Sequence, residues 1–500
     1  MNLRKQINRR RLLAIAGGGA AGALVLAACG EGEAEEAAPE PVAEAPAPAP
    51  APAATPAATA AMEAAPQQGF VTINYSTDHT SGPRGAATQW GVDKFAELEP
   101  NIGVKVVHRP GGEQPILLAS GVAPEVLLGN QFVFSNFQPD GAFVNITDVA
   151  QQHAEKFRVD FDAIYFLPDL YTDNDWDHRF PAPDRIYGDM FGLSFQPGVS
   201  GWYYNVTLAE ANGVAAPTAD WTWDDVLDNA RRLTPGDDTQ FGMNPPTSSE
   251  FAYLPLCYSN GLDKYVNDDL THTPFDEASA VEAMAWAVNS IHEEKVAYVR
   301  DLRTTLAGEF GDPFSAGLVG FVPGGVYATG YAASRIRDRF TWSLMPSPKS
   351  PRTGQAGHGW NDQPYLVTRS SERLGVVEQA TKLVLFLGGQ YYAERVSIDR
   401  GHAPNNRHTY QDYAAAHSPP PENMEVLGQN MDMCDNRHLY PFYALQEWQG
   451  AWGSAAQKGF TGELAADEVG PAMAEAGNVI LRQMEDRRVP GLTGAAIECA

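Results

Sequence analysis

Cysteine is scarce: the 500-residue chain has four, Cys29, Cys257, Cys434 and Cys499, and no CxxC pair. That scarcity excludes a disulfide scaffold and a zinc knuckle, and leaves room for at most one disulfide among the last three. Positive charge is also in short supply, with 35 Lys and Arg against 62 Asp and Glu and a net charge of −27. A surface this acidic repels phosphate backbones and anionic head groups, which argues against nucleic acid and against electrostatic membrane docking. It says little about a neutral ligand. The Ala/Gly/Leu stretch Leu12–Ala28 is uncharged but only about 17 residues long, short of the roughly 20 strongly apolar residues of a membrane span. There is no G-x-S-x-G elbow, no H-E-x-x-H and no glycine-rich phosphate loop, and no internal repeat.

What is present begins at the N-terminus. Arg4, Lys5, Arg9, Arg10 and Arg11 precede the Leu12–Ala28 stretch, which ends at Cys29. This is the layout of an export signal that is removed. Leu26-Ala27-Ala28-Cys29 resembles a bacterial lipobox, which implies lipidation of Cys29 and a signal peptide of residues 1–28. Asn8-Arg9-Arg10-Arg11-Leu12-Leu13 looks like a twin-arginine signal. Loss of residues 1–28, which hold five basic and no acidic residues, takes the net charge to −32. Residues 29–68 are Ala, Pro and Glu in the main, a composition that cannot bury a core and favours an extended spacer. At about 3 Å per residue it could hold a domain on the order of 100 Å from the lipid. The folded part is then 69–500, more than one core organises, so two lobes are expected.

Val71-Thr72-Ile73-Asn74-Tyr75 alternates as a strand, a helix is expected around Val92, Phe95 and Ala96, and Val104-Lys105-Val106-Val107 reads as the next strand. Val126-Leu127-Leu128 is a short, continuously apolar run. This is the start of a mostly parallel sheet covered by helices. In such sheets ligands sit beyond the carboxyl ends of the strands, which places the loops Ser76–Gly85 and Gly129–Asn136 at a site. Val281, Met284, Ala285, Val288 and Ile291 fall on one helical face, and Val376, Val377, Ala380, Leu383, Val384 and Leu387 on another. Thr222-Trp223-Asp224-Asp225 predicts a capping box.

Several of these segments, in order, resemble the family 1 extracellular solute-binding proteins, the group that includes the maltose-binding protein. Ile73–His79 is similar to the family's first strand and ligand loop, and Phe95–Ile102 to its "F…E…PNI" helix end. Ala119–Val126 looks like its "A-G-x-A-P-D-V" turn, with Glu125 in place of the usual aspartate. Tyr187–Leu193 and Trp202–Asn205 resemble its "Y-G-L-P … Y-Y-N" region, Thr222–Asp225 its "T-W-D-E" start, Gly324–Tyr327 its Gly-Gly-aromatic loop, and Thr461–Glu463 its late turn. The resemblance covers roughly residues 70–485 and is specific through its order, not through any one motif. It implies an α/β fold of two lobes, the type II periplasmic-binding-protein fold, joined by three crossings near 192–200, 317–323 and 357–366. The expected lobes are 69–195 plus 320–360, and 196–319 plus 361–500. The implied function is capture of a mono- or oligosaccharide, without turnover or cofactor, by a monomeric lipoprotein on the outer face of the cytoplasmic membrane, with ABC permease subunits as partners. Residues 150–190 and 403–440 are longer or more polar than the family pattern, which weakens the inference of ligand identity.

A sugar presents apolar C–H faces and a ring of hydroxyls. Aromatic rings cover the faces, and Asp, Asn, Gln and His pair the hydroxyls, each of which costs about 1–3 kcal/mol if buried unpaired. The resemblance assigns Asp78 and His79 to the first ligand loop, Asn130 and Gln131 to the second, Tyr327 to the Gly-Gly-aromatic loop, and Trp360, Asn361 and Asp362 to the third crossing. Trp202 on the hinge strand is a further candidate. Structural alternatives stand beside them: Asp78 as a turn cap, Trp360 and Trp202 as hinge packing, Tyr327 as core. Trp448 and Trp452 read as lobe packing, and Trp221 and Trp223 as packing at a helix start. In Gly357-His358-Gly359-Trp360-Asn361-Asp362, two glycines are expected to free the backbone and expose the indole.

Asp173, Asp175 and Asp177, with Asp184 at the twelfth position, carry calcium-loop spacing. His178 stands where such a loop needs Gly, and Asp184 where it needs a bidentate Glu, so a solvated acidic loop is the preferred reading and no metal is expected. The rival function is an exported glycan hydrolase, whose pair of carboxylates a linear sequence does not reveal. A binding protein for a non-sugar polar solute is the other.

Overall fold

The computed structural model describes residues 69–108, 114–138, 141–161, 190–267, 271–298, 312–325, 329–400, 421–426, 430 and 445–484. Cys29 and the linker, the loop of Asp173, Asp175, Asp177 and Asp184, and Tyr327, Cys434 and Cys499 lie outside the described residues, as do the side chains of Gln131, Trp360, Asn361 and Asp362. Packing separates Met1–Phe70 from Val71–Ala500, and the strands and helices of the described residues belong to the second unit.

β1 (Val71–Thr77) buries Ile73 and Tyr75 completely, as its alternation predicts. Each such side chain stabilises the fold by about 1.5–3 kcal/mol. α1 (Gly82–Leu98) carries a proline in its first turn and buries Ala87, Thr88, Gly91 and Phe95, a stripe at helical spacing. β2 (Ile102–His108) returns parallel to β1, and β3 (Val126–Leu128) lies parallel on the other side of β1. The Glu125 carboxylate, buried just before β3, accepts from the Asn74 amide nitrogen at 2.6 Å and from Asn74 Nδ2 at 2.9 Å. Glutamate in place of aspartate thus ties β3 to β1. α2 (Gln131–Phe137) follows β3 directly.

The long strand β4 (Gly192–Asn205) joins the two halves. Its first part pairs antiparallel with β8 (Trp360–Val367), with a register shift between Ser194 and Pro197. Its second part pairs with β6 (Val319–Gly325) on one side and β7 (Trp342–Met345) on the other. β5 (Phe241–Met243) lies parallel to β6. The sheet order is β2-β1-β3-β8-β4-β6-β5, with β7 paired to β4. β4, β6 and β8 coincide with the three segments expected to cross between lobes.

Among the helices that complete the halves are α3 (Trp223–Arg232), α4 (Leu254–Ser259), α5 (Ala278–His292), α6 (Val377–Gly388), α7 (Leu445–Phe460) and α8 (Val469–Met484). The capping box of α3 is formed: Thr222 Oγ1 accepts from the Asp225 amide, and Asp225 Oδ2 accepts from the Thr222 amide at 2.7 Å. One core gathers Ile73, Tyr75, Phe95, Val126, Leu193, Tyr365, Leu383, Phe386 and Tyr392. A second gathers Trp202, Trp223, Met243, Tyr253, Met284, Phe321, Trp448, Trp452 and Met473. A third cluster, with Leu127, Phe134, Tyr203, Trp342 and Leu366, carries apolar packing across the junction. This apportioning departs from the expected lobe limits. Residues 365–396 pack with the N-terminal core, because β8 inserts between β3 and β4 and α6 covers that part of the sheet. Phe321 of β6 and Met345 of β7 pack with the C-terminal core, not the N-terminal one.

Candidate functional site

The carboxyl ends of the parallel strands supply the first residues. β1 ends at Thr77, whose Oγ1 accepts from the His79 amide at 3.0 Å. The Asp78 carboxylate lies 3.9 Å from His79 Nε2, and the His79 ring is only 1% exposed against 32% for Asp78. Asp78 is therefore the accessible member of this loop, while His79 backs it from inside. Asn130 follows β3, and its side-chain oxygen accepts from the Val133 amide at 2.9 Å, capping α2. That oxygen is engaged in holding the helix start, a role not foreseen for it.

The same topological rule applied to β5 leads to residues that sequence reading missed. β5 is three residues long, too short to stand out as a strand, and the chain beyond it reaches a single π-helical turn, Ser249–Tyr253. Such turns recur at functional sites. Glu250 in this turn accepts from Gln449 Nε2 of α7 at 2.6 Å and from Ser249 Oγ at 2.9 Å. One turn earlier on α7, Gln446 Oε1 accepts from Asn136 Nδ2 of α2 at 3.3 Å. Asn136, Gln446, Gln449 and Glu250 thus form a polar row from the N-terminal half to the C-terminal half.

The Gly-His-Gly-Trp segment lies at the end of that row, and its glycines serve a different purpose from the one expected. A Cβ on Gly359 would overlap the Glu250 carbonyl oxygen, and one on Gly357 would overlap the Pro255 carbonyl oxygen. The glycines let β8 start against the backbone of the π turn and α4. Gly359 also donates its amide to Ser200 Oγ, and its carbonyl accepts from the Ser200 amide, each at 2.8 Å. Trp360, Asn361 and Asp362 then pair through their backbones with Val199, Gly198 and Pro197 of β4. Trp202 lies inside the C-terminal core, 5% exposed, between Pro323 and Met345 in register. It is packed within the lobe, because its position along β4 points it to the α-helical layer. Trp448 is packing as expected, fully buried with Nε1 donating to Thr273 Oγ1 at 2.9 Å.

Burial sets the electrostatics around the junction. His358 is fully buried, and desolvation lowers its imidazole pKa to about 4, so it is neutral near pH 7. Its Nδ1 lies 3.3 Å from Ser347 Oγ, and its Nε2 has no hydrogen-bond partner among the described residues. Burial, and then the neighbouring Glu250 carboxylate, push the Tyr253 hydroxyl well above the usual phenol range. Cys257 on α4 is a free, buried thiol whose pKa burial raises, which makes it inert packing and not a disulfide partner. No helix among the described residues is long and apolar enough to cross a membrane.

No family model matches the chain, and no curated protein does. Solved structures do. The ABC substrate-binding protein Lmo0181 of Listeria monocytogenes, in complex with cycloalternan, has a TM-score of 0.68 at 20% identity over 83% of this chain and 99% of its own. Maltose-bound MalE3 of T. maritima gives 0.64 at 17% over 83% and 100%. UgpB of Mycobacterium tuberculosis, in complex with glycerophosphocholine, gives 0.63 at 16% over 83% and 99%. At these identities the likeness establishes the fold, the two-lobe α/β periplasmic-binding-protein architecture.

Proposed function

We propose that this chain is the extracytoplasmic receptor of an ABC importer, which captures a small carbohydrate between its lobes and presents it to the permease without chemical turnover. The observation that carries this reading is the meeting, beside the crossing strands, of polar side chains from both lobes: Asn136 from one, and Gln446, Gln449 and Glu250 from the other. Amides and carboxylates are what a ring of hydroxyls requires when it leaves water. The likeness in fold to proteins solved with cycloalternan and maltose agrees with that chemistry. Asp78, Asn130, Gln131, Tyr327, Trp360, Asn361 and Asp362 are the further residues assigned to the ligand. Cys29 is assigned to the lipid anchor, and residues 30–68 to the spacer that gives the monomeric receptor reach to its permease.

The lobes close on a ligand that makes more contacts in the closed form than in the open one. Fluorescence titration with mono-, di- and oligosaccharides tests the assignment, since the chain has 10 tryptophans. A saturable change with one sugar class, weakened in Trp360→Ala, supports it. Binding of a glycerophosphodiester with no response to any sugar would replace the carbohydrate, and release of cleaved product would replace the receptor by a hydrolase.

A further inference from the structure

α2 is a short helix with two allegiances. Phe134 and Phe137 are buried in the cluster that includes Phe143 and Phe191. Phe132 turns the other way and packs against the C-terminal core, whose members include Leu445 and Trp448 of α7. Asn136 stands four residues after Phe132 and donates to Gln446 of the same helix α7 at 3.3 Å. Residues four apart share one helix face. Phe132 and Asn136 therefore make a two-point contact with the C-terminal lobe, one apolar with its core and one polar with Gln446 of α7, beside the apolar cluster that spans the junction.

We propose that this face of α2 is an interlobe clasp, a pair of positioning residues that hold the lobes together before any ligand arrives. The proposal rests on the reading of the protein as a two-lobe receptor that opens and closes. The clasp needs no solute atom, since both of its contacts join protein to protein. It is also weak by construction: Asn136 Oδ1 is buried and has no hydrogen-bond partner among the described residues, so closing strands a carbonyl that water pairs when the lobes part. A weak clasp raises the fraction of molecules in the closed form and leaves opening fast. Apparent affinity scales with that competent fraction, so the clasp sets affinity through closure, in addition to any contact its amides make with ligand.

The test uses the ligand-free protein and a short bis-maleimide. With Asn136→Cys and Gln446→Cys together, cross-linking is expected within minutes, and neither single variant should react intramolecularly. Adding Phe132→Ala should slow the cross-link about tenfold, the change that about 1.4 kcal/mol produces. Small-angle scattering should show a larger radius of gyration for Phe132→Ala/Asn136→Ala than for the parent, with Phe132→Leu as the milder variant if alanine unfolds the lobe. A pair that never cross-links in folded protein overturns the clasp, as does a pair that cross-links at the same rate with and without Phe132. None of these readouts involves a sugar, so failure of the carbohydrate assignment would leave them unchanged.

Discussion

At the scale of single residues, burial decides which of the conspicuous side chains stay accessible and which serve the fold. His358 shows the second case. Its folded pKa of about 4 lies below the ordinary 6.5, so the unfolded chain takes up a proton first as pH falls. The stability it loses is nil above about pH 6.5, grows through the interval down to pH 4, and is complete below it, at about 3 kcal/mol for a group this buried. Urea unfolding of wild type and His358→Gln between pH 7 and 4 should show a shallower pH slope in the variant; parallel curves would remove His358 as the cause. Gly359→Ala should cost about 1–3 kcal/mol through overlap with the Glu250 carbonyl, read as a lower urea midpoint. The place of Asp78 just after β1 was legible because a strand end is a topological position. The meeting of Asn136, Gln446, Gln449 and Glu250 was not, since it depends on which helix faces which loop across the junction, and no spacing in the chain encodes that.

Elements were more legible than sites, for a physical reason. The alternation of Val71–Tyr75, the helical stripes that include Met284, Val288, Leu383 and Val384, and the Thr222–Asp225 box are local signals. Each is met in β1, α5, α6 and α3. The lobe limits were misread because β8 and α6 join the N-terminal core after a long excursion through the other lobe, and hydrophobic pattern does not say which core a stripe will meet. The capping box permits a prediction at this scale. Thr222→Ala removes both Oγ1 contacts with Asp225 and should lower stability by about 1 kcal/mol, while Thr222→Ser should retain most of it. Equal losses in the two variants would show that the box contributes through the methyl group and not through its hydrogen bonds.

For the whole molecule, two hydrophobic cores joined by one sheet raise the question of whether the lobes unfold together. A ligand held by one lobe stabilises that lobe alone, whereas a ligand bridging both must be released before either unfolds. A saturating solute stabilises the form that binds it by RT ln(1 + [L]/Kd), about 2.7 kcal/mol at a hundredfold excess over Kd. With a sugar identified by titration, hydrogen exchange should therefore slow together in the β1 loop around Asp78 and in the π turn around Glu250, although these lie in different cores. Calorimetry should show any separate lobe transitions moving up and merging. Protection confined to the Asp78 side, with Glu250 and its neighbours exchanging as before, would mean that the solute rests on one lobe. Closure would then not depend on the solute.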